Sequence, residues 1–372
     1  MPMPIHRLTI RGFRSIRQLE DFEMRSLNVL IGANGSGKSN LIEFLEMLTS
    51  FVRESFQSFS RERGGARTLL HRGAQPSDQI FGRVNFASAG YDFTLKPTDD
   101  GGLYFDEQST WRGPISNGLD FHRQLAKGRS ESGLGKAARE AGAATHGDVA
   151  RVVVDAIQSW VVYHFHDTSK QASIRLAHKV TDDDRMEERG RNLAPFLLSL
   201  RASQLSAYER IRDTVRLTAP FFDDFRLKPR DEGGERVVAL EWLQRGSTEP
   251  FLNSQLSDGT LRFIALATTL LQPTLPATVI IDEPELGLHP QAIAVLAGLL
   301  KSAATRTQVL VCTQSPTLLD HFAPEDVVVA ERREGASHFS RPNAKELESW
   351  LEDYSLGQLW QKNVLRAEPT RD

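Results

Sequence analysis

Eight residues constrain this chain more than any others. Gly32-Ala-Asn-Gly-Ser-Gly-Lys-Ser39 fits the pattern G-x-x-x-x-G-K-[ST]. The run before it, Leu27–Ile31, is apolar enough to be a strand buried on both faces. The run after it, from Asn40 to about Val52, repeats Leu41, Ile42, Leu45 and Leu48 at helical spacing. A strand, a glycine-rich turn and a helix in that order form a nest of backbone N–H groups aimed at an anion. The positive end of the helix adds to the attraction. Gly32, Asn34, Gly35, Ser36, Gly37 and Asn40 are therefore expected to surround a nucleotide's phosphates. Lys38 is expected to reach the terminal phosphates, and Ser39 offers a hard oxygen to Mg²⁺.

A phosphate cradle needs a metal-holding acid. Thr278-Val-Ile-Ile-Asp282-Glu283 supplies one: a short apolar strand ending in two carboxylates, 244 residues after Lys38. Asp282 at the strand tip is the expected Mg²⁺ ligand, and Glu283 the expected general base toward water. ATP and Mg²⁺ are thus the expected cofactors. The alternative, a strand that merely ends in an acidic turn, loses ground because the two motifs occur together.

Composition narrows the class. With 45 basic and 48 acidic residues the formal charge is −3, so coating of nucleic acid by bulk charge is not expected. One cysteine excludes a disulfide framework and a cysteine-rich metal site. The opening MPMPIHRLTI has no apolar signal core, and no run of about 18 apolar residues occurs. A cytoplasmic protein that does not enter a membrane is expected.

Further motifs carry a resemblance. Leu256-Ser257-Asp258-Gly259-Thr260 resembles the L-S-G-G-Q signature of ATP-binding-cassette ATPases, and it precedes an apolar helix. Asp282-Glu-Pro-Glu-Leu-Gly-Leu-His-Pro290 is similar to the RecF/OLD-like branch of that class. Leu8-Thr-Ile-Arg-Gly-Phe-Arg-Ser15 and Thr313-Gln-Ser-Pro-Thr-Leu-Leu-Asp320 resemble segments of RecF- and SMC-related ATPases. The resemblance implies an α/β fold: a P-loop NTPase of the ABC ATPase head type, with a mixed sheet core, an antiparallel β subdomain and a helical insertion. It implies that Ser257 and Gly259 act on ATP held by a second copy, in a homodimer, and that Gln314 senses the nucleotide. It also brings Arg14 toward the nucleotide. Two departures matter. Asp258 stands where the family usually has glycine, and an acid there repels phosphate unless it points away. Gln314 stands where many relatives have histidine and carries no positive charge, so slow hydrolysis is expected.

The expected organisation is an N-terminal ATPase lobe (1–95), an insertion of irregular and helical segments (96–235), a C-terminal ATPase lobe (236–343) and a helical tail (344–372). The function implied is ATP binding and hydrolysis with nucleotide-driven dimerisation, coupled to DNA repair or anti-phage defence. The alternative is a regulatory ATPase that controls a separate nuclease or toxin subunit without touching DNA. The 82 residues after Pro290 show no second acidic cluster of the Toprim type, so any nuclease is expected on another chain. Two weaker features remain. His164 and His166 have the spacing of metal ligands but are better read as structural. Arg61, Arg63, Arg67 and Arg72, near Phe56 and Phe59, could meet a nucleic-acid backbone, though a solvated face is the commoner outcome.

Overall fold

The computed structural model describes residues 3–72, 76–113, 121–125, 127–140, 147–182 and 185–365. An antiparallel hairpin of β1 (Arg7–Phe13) and β2 (Ile16–Glu23) leads to β3 (Leu27–Ile31), the glycine-rich loop and α1 (Lys38–Val52). Next come α2 (Phe56–Glu62), α3 (Ala66–Leu69), β4 (Ile80–Phe86), β5 (Ala89–Pro97), β6 (Leu103–Arg112) and β7 (Phe121–Gln124). The helices α4 (Leu134–Arg139) and α5 (Gly147–Gln158) precede β8 (Trp160–Tyr163) and β9 (His178–Lys179). A helix pair, α6 (Leu193–Ser203) and α7 (Leu205–Thr218), is followed by β10 (Phe222–Arg226), β11 (Arg230–Glu232), β12 (Glu235–Val238), β13 (Glu241–Gln244) and β14 (Pro250–Leu252). The last third holds α8 (Asp258–Leu271), β15 (Thr278–Asp282), α9 (Pro290–Ala304), β16 (Gln308–Thr313), α10 (Pro316–Leu319), β17 (Val327–Arg333), β18 (Ala336–Ser340), α11 (Ala344–Leu351) and α12 (Leu356–Gln361).

The central sheet has the order β18-β17-β3-β16-β15-β8 and is parallel apart from β18. Its inner strands β3, β15 and β16 are buried along nearly their whole length because both faces are covered. Alternation along each strand sends successive side chains to opposite sides. Val29, Ile31, Val279, Ile281, Val309 and Val311 enter one core with α6, α7, α8 and α9. Leu30, Ile280, Leu310 and Cys312 enter the other, against α1, α5 and the six-stranded antiparallel sheet β2-β1-β4-β5-β6-β7.

The structure parts from the expected lobes in three places. The boundary at 95/96 falls inside β5, whose partner β6 runs on to Arg112. The sequence hid the length of β6 because Gln108, Ser109 and Thr110 are polar yet buried. Gln108 Oε1 accepts bonds from Tyr91, Ser132 and the Gly133 N–H, each at 3.1 Å, which satisfies it. Second, the 96–235 stretch is not wholly an insertion: β8 pairs with β15 and completes the central sheet. Third, the boundary at 235/236 falls inside β12, and β13, next in sequence, belongs to a different small sheet.

Candidate functional site

Strand register builds the site. Ile31 lies opposite Thr313, Cys312 opposite Asp282, and Ile281 opposite Tyr163. The carboxyl ends of β3, β16, β15 and β8 therefore finish level, at the edge where open α/β sheets bind ligands. The glycine-rich loop, Gln314, Asp282-Glu283 and His164–His166 all emerge there.

Within the loop, Gly35 and Gly37 have φ of +77° and +106°, which L side chains rarely adopt. A Cβ at Gly37 would also strike Ser337 and Ser15. Lys38 is buried, and its Nζ donates to the carbonyls of Gly32 (2.6 Å) and Ala33 (3.2 Å). Burial lowers its pKa, against the attraction of Asp282, Glu283 and Glu285 among its neighbours. The first N–H groups of α1 have no intrahelical acceptor. The Ser36 hydroxyl is buried and has no hydrogen-bond partner among the described residues. Asn34, Gly35 and Ser39 lie exposed at the mouth. Asn40 is committed elsewhere: its amide donates to Ser15 Oγ, which meets Ser337 Oγ at 2.6 Å.

The acids form a second layer. Burial raises the pKa of Asp282, with Glu283 adding to the shift and His166, His164 and Lys38 opposing it. Burial likewise raises that of Glu285, opposed by the hydrogen bond from Thr313. Glu283 has φ +43°, and its N–H donates to Cys312 O at 2.8 Å. Its carboxylate accepts the Gln314 side-chain amide. The Gln314 N–H in turn donates to Glu285 Oε1 (3.3 Å), which also accepts the Thr313 hydroxyl. Gln314 and Glu283, distant in sequence, thus share a bond.

These residues fit Mg·ATP. Ser39 and Asp282 are hard oxygen donors at one edge. The orphaned Ser36 hydroxyl and the helix-end N–H groups are donors in want of acceptors, and Lys38 has only backbone carbonyls to hold.

The signature is anchored by contacts of its own. Ser257 Oγ caps α8 by accepting the Thr260 N–H at 3.1 Å. The Gly259 Cα presses on the Gly287 carbonyl so closely that a Cβ would collide. Arg262, one turn on, donates to the carbonyls of Phe165 (2.9 Å), His166 (3.1 Å) and Leu286. Asp258 is paired with Arg175 at 2.7 Å.

One expectation changes here, and two weaker features find their partners. Arg14 does not point free into the site; its guanidinium is bound by Glu43 of α1, which also takes Arg63. Arg63 bridges on to Glu46 at 3.0 Å and stacks over Phe59, so the middle of the basic stretch is spent internally. The two histidines bind protein: His164 Nε2 meets Glu46 Oε1 at 3.0 Å, and His166 Nε2 donates to the Asp282 carbonyl at 2.9 Å. No group of three or more metal-ligating side chains occurs among the described residues. Arg175, Arg262 and Arg332, whose Nη1 lies 3.5 Å from Gly35 O, are neighbours of the motifs that sequence reading missed. They lie outside every motif and had no signal except their charge.

The family described as "AAA domain, putative AbiEii toxin, Type IV TA system" matches residues 27–320, well over half of the chain. The chain is 31% identical over 90 residues to the "DNA replication and repair protein RecF" of Pseudomonas savastanoi pv. phaseolicola. It is equally similar to that of Pseudomonas syringae pv. syringae. Each match spans 24% of this chain and only 22% of the relative. Among solved structures, the SMC head bound to the C-terminal winged-helix domain of ScpA superposes with TM-score 0.58 at 14% identity. That match covers 93% of this chain and 99% of the other. An SMC head with an extended coiled coil, bound to the C-terminal domain of ScpA derived from Pyrococcus furiosus, gives 0.56 at 13% identity, covering 94% and 99%. These likenesses establish the ATPase-head fold.

Proposed function

The chain belongs to this AAA-domain family, within the RecF- and SMC-related cassette-class ATPases, and on that premise we propose that it binds and slowly hydrolyses ATP and that ATP draws two copies together. The observation that carries the proposal is the shared edge. One sheet register delivers the glycine-rich loop, Asp282-Glu283 and Gln314 to the same end of the molecule.

In this reading the loop from Gly32 to Ser39 holds the triphosphate. Lys38 exchanges its backbone carbonyls for phosphate oxygens. Ser39 and Asp282 would hold Mg²⁺, which when bound neutralises charge between the β- and γ-phosphates. Glu283 takes a proton from water as general base, and Gln314 fixes the direction of its carboxylate through their shared bond. Gln314 brings no positive charge, which fits slow turnover. Ser257 and the Gly259 N–H, at the start of α8, face the partner copy's nucleotide. Arg14, held by Glu43, secures the β1–β2 turn on α1 rather than the nucleotide.

We assign the cycle to DNA repair or anti-phage defence in the cytoplasm. A second reading, control of a separate nuclease or toxin subunit without DNA contact, is favoured by the internal pairing of Arg63. Affinity for DNA that falls steeply with salt would select the first. Lack of DNA binding together with co-purification of a nuclease or toxin subunit would select the second.

The central test is Glu283→Gln, which keeps the bond geometry with Gln314 but cannot accept the proton. With ATP and Mg²⁺ it is expected to run as a dimer on size-exclusion chromatography, with phosphate release abolished. A variant that stays monomeric and hydrolyses like the parent overturns the assignment.

A further inference from the structure

The signature segment carries an acid where an anion is meant to dock. Asp258 occupies the first turn of α8, where helix-end N–H groups concentrate positive potential. Its side chain is 66% exposed, so it does not turn inward. The carboxylate is answered by Arg175, whose side chain is only 6% exposed. Arg175 Nη2 lies 2.7 Å from Asp258 Oδ1, Nε donates to Thr168 O at 2.8 Å, and Nη1 donates to Asn253 O. Its hydrogen bonds to two loops fix the guanidinium in place. Asp258, by contrast, reaches solvent.

We propose that the Asp258–Arg175 pair is an electrostatic brake on ATP-driven pairing of two copies. The proposal rests on the reading that α8 faces a partner's triphosphate, and it deepens that reading. With the pair intact its two charges cancel, and only the partial charge of the helix end attracts the phosphate. A glycine at 258 would leave Arg175 uncompensated and the signature strongly attractive. Asp258 holds the attraction down, so that the copies part readily. Arg175 keeps the acid from abolishing it.

The pair makes a sign-specific prediction, tested by sedimentation with ATP and Mg²⁺ in the Glu283→Gln background. Asp258→Asn retains an acceptor for Arg175 while removing the charge. It is expected to tighten the dimer about fivefold per composite site, the size of one partly exposed charge interaction. Arg175→Gln leaves the acid unanswered and is expected to loosen the dimer by a similar factor. The double variant restores a neutral pair and is expected to return to the parent's affinity. Added salt shrinks both single-variant shifts. Thermal melts without nucleotide check that each variant is folded. If Arg175→Gln does not fold, Asp258→Asn decides alone. A dimer unchanged or weakened by Asp258→Asn overturns the brake. Failure of Glu283→Gln itself to dimerise overturns the underlying reading instead, and the two failures are distinguishable.

Discussion

Glu283 is the residue at which stability and chemistry pull apart, and that conflict can be measured. Its φ of +43° lies in the left-handed region, which costs an L residue about 1–2 kcal/mol. Glycine escapes that cost but gives up about 0.4–1 kcal/mol through the greater freedom of its unfolded chain. Comparing Glu283→Gly with Glu283→Ala isolates the backbone, because both lose the carboxylate and its bond to Gln314. The glycine variant is therefore expected to be more stable than the alanine variant by roughly 0.5–1 kcal/mol. Asp282, one residue earlier in extended β15, provides the control. There the order reverses, and glycine is worse than alanine by about 0.5–1 kcal/mol. Urea denaturation of the four variants reads both differences, while phosphate release is expected to be lost in all four. Equal stability of the Glu283→Gly and Glu283→Ala proteins, or the same order at both positions, would show that the left-handed turn is not where this chain stores its strain.

Two further outcomes follow from the site. Asp282→Asn is expected to raise the melting temperature of the nucleotide-free protein at neutral pH. The folded carboxyl titrates above the ordinary aspartate value of 3.8 because it is buried, so the folded state binds more protons than the unfolded one in the window above that value. Stability therefore falls as pH rises through the window, and the gain from asparagine shrinks as pH is lowered toward 3.8. Melting curves across pH check this, and a gain that grows in acid refutes it. Gly259→Ala drives a methyl into the Gly287 carbonyl and is expected to destabilise the protein by about 1–3 kcal/mol by chemical denaturation. Alanine at Gly298, inside α9 where no atom crowds the Cα, is expected instead to stabilise by about 0.5–1 kcal/mol, and a gain of the same sign at Gly259 would show that α8 and the 285–289 loop move apart freely.

The elements whose chemistry is local were legible from sequence. The glycine-rich loop declares itself because a strand, a nest and a helix must be contiguous, and Asp282-Glu283 because an apolar strand ends abruptly in charge. Leu193, Phe196, Leu197 and Leu200 recur at helical spacing, and they form the buried face of α6. What stayed hidden are pairings between distant residues. Nothing near Asp258 announces Arg175, 83 positions earlier, and nothing near Asp282 announces that His166 holds its carbonyl. The same holds for Arg14: the sequence displays its charge but not Glu43, which consumes it. The β6 strand failed for a different reason. Its stretch Gln108–Thr110 is polar and buried, and there hydrogen bonds from Tyr91 and Ser132 to Gln108, rather than apolar alternation, make burial tolerable.

The alternating sides of β3, β15 and β16 have a consequence for how this chain can change. Each strand belongs to two interiors at once, one beneath the helices and one beneath the antiparallel layer. The residues proposed to receive the nucleotide hang from the seam between them. Either interior can be refilled with different side chains while the other keeps the seam in place. Such a molecule can acquire new outer surfaces, and hence new associates, without disturbing the edge proposed to grip the triphosphate.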